Sequence, residues 1–185
     1  MKKVCIFFTE GFEEIEALTV VDLLRRASID ASMVSVTGEL QVNGARGIKI
    51  EADALLEDVD YGEVQMIVLP GGSPGWKNLE KCEKLMKLVD DFASKGRRIS
   101  AICGAPSVLG RRGILKGRTA CVYPGMDDSL EGATVIHEEV AVDGNIITSR
   151  GVGTAIPFSL AIIEELTDAA TAKKISDSIV YRLEQ

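Results

Sequence analysis

Arg98-Ile99-Ser100-Ala101-Ile102-Cys103-Gly104-Ala105-Pro106 is an apolar run that stops abruptly at a cysteine and continues in small residues and a proline. The run reads as a buried strand that leads straight into a short helix, with Cys103 on the turn between them. A sharp strand-to-helix turn lifts a side chain out of the sheet, and Gly104 and Ala105 let the backbone crowd together beneath it, the pattern of a nucleophile elbow. A sulfur placed there sits at a helix N-terminus, where dipole and free N–H groups favour the thiolate. The competing reading is a small buried packing residue, as free cysteines often are.

Outward from this stretch, apolar runs and amphipathic runs alternate. Val4 to Phe8 is a continuous apolar strand, followed by a turn at Glu10-Gly11 and a helix carrying Ala17, Val20, Val21 and Leu24 on one face. Ser32 to Val36 reads as the second strand. Asn43-Gly44 marks a tight turn, with Ile48 and Ile50 in an antiparallel excursion. Met66 to Leu69 is a strand ended by Pro70-Gly71-Gly72, and a helix is expected from about Leu79 to Ala93 with Leu85, Leu88, Val89 and Phe92 inward. A strand over 145–148 precedes Ser149-Arg150-Gly151-Val152-Gly153-Thr154, then a helix with Ile156, Leu160, Ile163 and Leu166, and a last helix from near Asp168. Strand-then-helix order implies one doubly wound α/β domain over 1–185, a mostly parallel sheet sandwiched by helices. Ligands of such folds bind beyond the carboxyl ends of the strands, where the turns at 9–11, 70–75 and 102–106 fall.

Composition narrows the function. The 185 residues are 46% hydrophobic and 26% charged, with net charge −7. An acidic chain without a basic run longer than a pair is a poor partner for nucleic acid. No apolar stretch reaches membrane-span length. Val4 to Phe8 follows two lysines like the start of a leader, yet Glu10, Glu13 and Glu14 arrive too early, so a cytoplasmic protein is expected. Four cysteines without CxxC spacing and the single His137 offer no zinc ligand set. His137, in a charged stretch, reads as a solvated surface residue, leaving no material for a Cys-His-Asp hydrolase. Cys5 reads as packing, Cys82 as an exposed oxidation liability on a helix, and the role of Cys121 is open.

Glu13 and Glu14 read as ordinary first-turn acids that complement a helix dipole. Glu16 shares a face with Val20 and Leu24, so it is expected to be buried, protonated and able to donate a hydrogen bond to a neighbouring thiolate. Gly71 and Gly72 either simply make the turn or supply N–H groups to an oxyanion pocket shared with Gly104. Gly151-Val152-Gly153 is only a fragment of a dinucleotide loop, and no cofactor is expected.

Four segments, GFEEIEA at 11–17, LPGG at 69–72, AICGAP at 101–106 and TSRGVGTA at 148–155, resemble the ThiJ/PfpI superfamily, and within it the DJ-one branch, over essentially the whole chain. The resemblance implies a flavodoxin-like α/β sandwich, a homodimer, Cys103 as nucleophile, Glu16 as its protonated partner, and Gly71, Gly72 and Gly104 as the surrounding pocket. It also implies that Arg46 lies near the dimer interface, able to approach the partner's site. The activities it implies are glutathione-independent conversion of small aldehydes such as methylglyoxal, protein deglycation, chaperone-like behaviour and cysteine oxidation sensing. The chain departs from the pattern in three places. Gly104 replaces the histidine of the protease-like branch, Tyr123-Pro124 stands where some members carry histidine, and Glu51 stands where some carry an interface cysteine. The first departure argues against a peptidase.

Overall fold

The computed structural model of the protein describes residues 2–182. Its main sheet has seven strands: β1 (Lys3–Phe8), β2 (Asp30–Ser35), β5 (Ala54–Leu55), β6 (Val64–Leu69), β7 (Arg98–Ile102), β10 (Val140–Asp143) and β11 (Ile146–Ser149), in the spatial order β10-β11-β7-β6-β1-β2-β5. All pairings are parallel except β10 with β11 at one edge. This is the doubly wound architecture expected from the strand-helix alternation, and the flavodoxin-like sandwich that the resemblance implied.

Strand pleating distributes the apolar runs over two cores. In β1, Val4, Ile6 and Phe8 point to one face and Cys5 and Phe7 to the other, all fully buried. The first face is covered by α1 (Glu14–Arg26), α5 (Ala155–Leu166) and α6 (Ala169–Ser178), whose Val20, Leu24, Phe158 and Ile162 join that cluster. The second face packs on α2 (Gly75–Lys81), α3 (Glu83–Ser94) and α4 (Pro106–Arg111) through Leu79, Leu85, Val89, Phe92 and Val108. A sheet covered on both sides needs strands that are apolar at nearly every position. Val4 to Phe8 of β1 and Met66 to Leu69 of β6 are unbroken runs, and the buried part of β7 admits one small polar residue, Ser100, whose hydroxyl donates to Met66 Sδ.

Several sequence expectations need correction. The helix expected from Leu79 to Ala93 is two helices, broken at Cys82, whose ψ of 95° is extended. Cys82 is therefore half-buried at a helix junction rather than exposed along a helix, and Met86 is buried where Leu88 is only partly so. The second strand begins and ends slightly earlier than Ser32 to Val36. In α5 the buried stripe runs through Phe158, Ile162, Ile163 and Leu166, with Ile156 and Leu160 only partly covered. The hairpin β3 (Gln41–Asn43) with β4 (Lys49–Glu51) is antiparallel, as the turn signal implied. A two-strand ribbon of β8 (Thr119–Ala120) and β9 (Thr134–Val135) was not read from sequence, because two-residue strands carry no period.

Chain order reverses between β1, which continues to β2 on one side, and β6, which lies on its other side. A crevice opens at the carboxyl ends of such strands. Phe158 is fully buried against this sheet, so Phe158→Ala is expected to lower stability by about 3–5 kcal/mol, read from the urea midpoint at unchanged slope.

Candidate active site

Three loops meet at the switch point. The segment after β1 docks on the segment after β6 through backbone bonds: Glu13 N–H to Gly71 C=O (3.0 Å) and Gly75 N–H to Gly11 C=O (3.1 Å). Gly72 has φ +95°, and a Cβ there would fall 2.3 Å from the Glu13 nitrogen. No other residue type fits this crossing.

Glu16, in the first turns of α1, is completely buried. Its Oε2 accepts the Gly71 N–H at 3.0 Å, and its Oε1 has no partner. Cys103 follows β7 with φ +66°, the left-handed strain of an elbow. Its N–H is tied to Ser149 C=O at 3.1 Å and its C=O accepts from Tyr123 N–H at 2.8 Å, which holds the turn from both sides. Gly71 lies between the two functional side chains. A Cβ there would fall 2.4 Å from Cys103 Cβ, 2.5 Å from Glu16 Oε2 and 2.9 Å from the sulfur.

Burial pushes the Glu16 carboxyl up to about 7, opposed by a side-chain hydrogen bond with Cys103 and by the Gly71 N–H. Burial, the Glu16 charge and its hydrogen bond push the Cys103 thiol up to about 12, opposed by the Gly72 and Gly104 N–H groups. The sequence expectation of a thiolate favoured by a helix terminus therefore does not hold while Glu16 is ionised: the helix is short and the carboxylate repels the sulfur's charge. The two groups titrate as one unit. When the unit carries a single proton, that proton has two places: on sulfur beside a carboxylate that the Gly71 N–H stabilises, or on Glu16 beside a sulfur that the Gly72 and Gly104 N–H groups favour. The direction that follows for Glu16 is upward, through burial.

The glycines divide their work differently from the expectation. Gly71 gives its N–H to Glu16, so it is not free for an oxyanion; Gly72 and Gly104 direct theirs to the sulfur. Glu14 lies in the first turn of α1 and Glu13 at its N-cap, as acids that complement a helix dipole do, but they also bind other segments. Both are buried, and Glu14 Oε1 accepts the N–H groups of Arg46 (2.6 Å) and Ile48 (3.4 Å), binding the β3–β4 hairpin to α1. Arg46 thereby reaches the rim of its own chain's cavity, with its guanidinium 3.7 Å from Glu13 and 73% exposed.

The cavity over the sulfur encloses about 780 Å³. Its walls include two residues not picked out from sequence, Trp76 and Arg150. The Arg150 guanidinium donates to His137 C=O at 3.0 Å while its buried Nε has no partner. Arg150 stood inside a quoted segment and was passed over; Trp76, the chain's single tryptophan, follows a strand-end loop, a position that could have flagged it. His137 is exposed as expected, yet it lines the mouth. The remaining cysteines lie elsewhere: Cys5 is buried in β1 with its thiol pushed up to about 11 by burial, and the Cys121 thiol donates to Thr148 C=O at 3.1 Å. Among the described residues no group of three or more His, Cys, Asp or Glu is arranged to hold a metal, and no helix is long and apolar enough to cross a membrane.

This geometry has counterparts in known proteins. DJ-1 homolog B of Arabidopsis thaliana is 39% identical over 98% of the chain, although the chain spans only 42% of that protein's length and 47% of DJ-1 homolog A from the same plant. The protein named glutathione-independent glyoxalase DJR-1.2, from Caenorhabditis elegans, is 35% identical over 85% of this chain and 84% of its own. The solved structure of oxidized Toxoplasma gondii DJ-1 superposes with TM-score 0.94 at 33% identity, covering 99% of this chain and 100% of that one. The model of the DJ-1/PfpI family matches residues 2–165, which takes in the elbow, the buried glutamate and both loops between them, and the chain belongs to that family.

Proposed function

We propose that the protein is a cofactor-free, thiol-dependent enzyme that converts small α-oxoaldehydes to α-hydroxy acids, methylglyoxal to lactate among them. The observation that carries this reading is the placement of Cys103 and Glu16 side by side across the bare Gly71, at the base of an open cavity. The glyoxalase name borne by the nematode relative supports it at the level of the family.

The chemistry is an internal redox exchange followed by hydrolysis. The Cys103 thiolate adds to the aldehyde carbon, and the oxyanion formed takes a proton to give a hemithioacetal. The N–H groups of Gly72 and Gly104, which favour the charged sulfur, are the donors assigned to that oxyanion. Glu16, now a carboxylate, removes the hydrogen of the former aldehyde carbon to give an enediol, then returns a proton to the adjacent carbon. The first carbon is oxidised to a thioester and the second is reduced to an alcohol, without an outside electron acceptor. Water cleaves the thioester, releasing the hydroxy acid and the thiol.

A second reading is favoured by the same shell around the sulfur. Peroxide would oxidise the thiolate through the sulfenate to the sulfinate, whose oxygens could take the backbone N–H groups and the Glu16 proton. The oxidized state named for the Toxoplasma relative belongs to that protein and supports this second reading at the level of the family. The protein is further proposed to work as a homodimer through the exposed Ile15 and Ile48 beside Arg46, and a monomeric mass by light scattering would overturn that.

Glutathione-free lactate formation from methylglyoxal should vanish in Cys103→Ala and fall about 10²–10⁴-fold in Glu16→Gln, the usual worth of a positioned acid–base group. Full turnover in Glu16→Gln would remove that residue from the mechanism. The pH dependence has a definite sign. The reactive, singly protonated pair forms as pH rises through about 7, so the rate of Cys103 alkylation by iodoacetamide should climb there and level off. In Glu16→Gln the inflection should disappear from that region and move upward, because burial, opposed only by the Gly72 and Gly104 N–H groups, then sets the thiol. An inflection unmoved by the substitution would mean that the two groups do not share a proton.

A further inference from the structure

One wall of the cavity is made by a residue that the thiol chemistry does not use. Trp76, near the start of α2, lies against the elbow: a Cβ on Gly104 would fall 2.6 Å from both its Cδ1 and its Nε1. Gly104 is therefore needed to make room for an indole. The Arg111 guanidinium and the Lys77 ammonium lie 5.2 and 5.4 Å from the ring centroid, within cation–π range. Arg111 is itself held by two hydrogen bonds to Glu80, 2.7 and 2.9 Å, one turn further along α2 than Trp76. The indole is braced in this way and still lines the cavity, only partly buried.

Tyr123 lines the same cavity and is 50% exposed. Among the described residues no ring pair joins Trp76 to Tyr123, so neither ring fills the other's space. A volume of about 780 Å³ falls inside the range of roughly 300–1,000 Å³ typical of sites for drug-sized ligands. A methyl group beside the reacting carbonyl offers little area to such walls. A planar ring offers much more, and aromatic pairs gain beyond simple burial.

We propose that Trp76 is a specificity-determining residue that selects α-oxoaldehydes carrying a flat aryl group on the ketone carbon over those carrying methyl. The inference rests on the oxoaldehyde reading for the reaction, but its binding half can be tested without turnover.

The kinetic test compares kcat/KM for phenylglyoxal with that for methylglyoxal, without glutathione, in the unaltered protein, Trp76→Ala and Trp76→Phe. The ratio should favour phenylglyoxal in the unaltered protein, drop about tenfold in Trp76→Ala, on the scale of one aromatic contact, and recover in Trp76→Phe. A ratio unchanged in Trp76→Ala would overturn the assignment and leave the ring as a cover for Gly104. The binding test titrates the two product acids, mandelate and lactate, into Cys103→Ala by calorimetry, with the wall intact. Mandelate should bind about tenfold tighter, and equal affinities would overturn the proposal. Should neither aldehyde be consumed by the unaltered protein, the glyoxalase reading falls, and the mandelate-to-lactate comparison alone decides whether the wall selects aryl ligands.

Discussion

A carboxyl and a thiol can share a proton inside a protein only if the backbone between them carries nothing that keeps them apart. Gly71 meets that condition. A single added carbon there would overlap the Cys103 side chain, the Glu16 carboxyl and the sulfur together, so the contact on which the chemistry depends is made by the absence of a side chain. The rest of the local structure follows from keeping that gap in register. Gly72 crosses the chain after β1 at a distance that admits no Cβ, and the elbow at Cys103 is fastened to Ser149 and Tyr123 by backbone bonds. Each loop is anchored at the end of a strand whose neighbours fix its position, so the site inherits the rigidity of the sheet.

Burying Glu16 works against the stability of the fold. Its carboxyl titrates near 7 instead of its ordinary 4.5, a difference on the order of 3 kcal/mol between protonated and ionised forms. The folded state binds the proton more tightly than the unfolded chain does, so stability is intact below about 4.5 and declines as pH rises through about 7. The hydrogen bond from Gly71 offsets part of this, but one carboxyl oxygen is left without a partner. Such an arrangement persists because the surrounding apolar cores, with Val20 and Leu24 on the same helix face, hold the carboxyl in place. Perturbed acids kept in clefts at such expense are a common mark of catalytic sites.

The sheet and the meeting of Cys103 with a buried Glu16 were legible in the sequence because both are written in local pattern. Unbroken apolar runs announce strands covered on two sides, and a cysteine at the end of such a run announces an elbow. Glu16 could be singled out because helical spacing put it in line with Val20 and Leu24. What was not legible depends on contacts between distant segments. The carboxylate of Glu14 looks like any first-turn acid until the β3–β4 hairpin, some thirty residues on, presents two N–H groups to it. The break at Cys82 likewise leaves no trace in a periodic apolar stripe that continues on both sides of it. The thiol's ionisation likewise depends on a contact that the helix terminus alone does not reveal: burial and the Glu16 charge push it up, and the Gly72 and Gly104 N–H groups oppose them.

The same division separates reaction from selectivity. Sulfur, carboxyl and backbone N–H groups sit on strand ends and on the first turns of α1, where shifting one atom would disturb the sheet. The walls come from positions with more freedom: an α2 side chain, a loop tyrosine and an arginine after β11. A substitution among these changes what a ligand touches without moving Gly71, so one reactive base can be combined with different walls. Trp76 is the exception that joins the two layers, since Gly104, in the elbow itself, must stay bare for the indole to lie beside it. Selectivity at this site is therefore constrained from below: any bulkier residue in the elbow would have to displace the ring before it could affect the thiol.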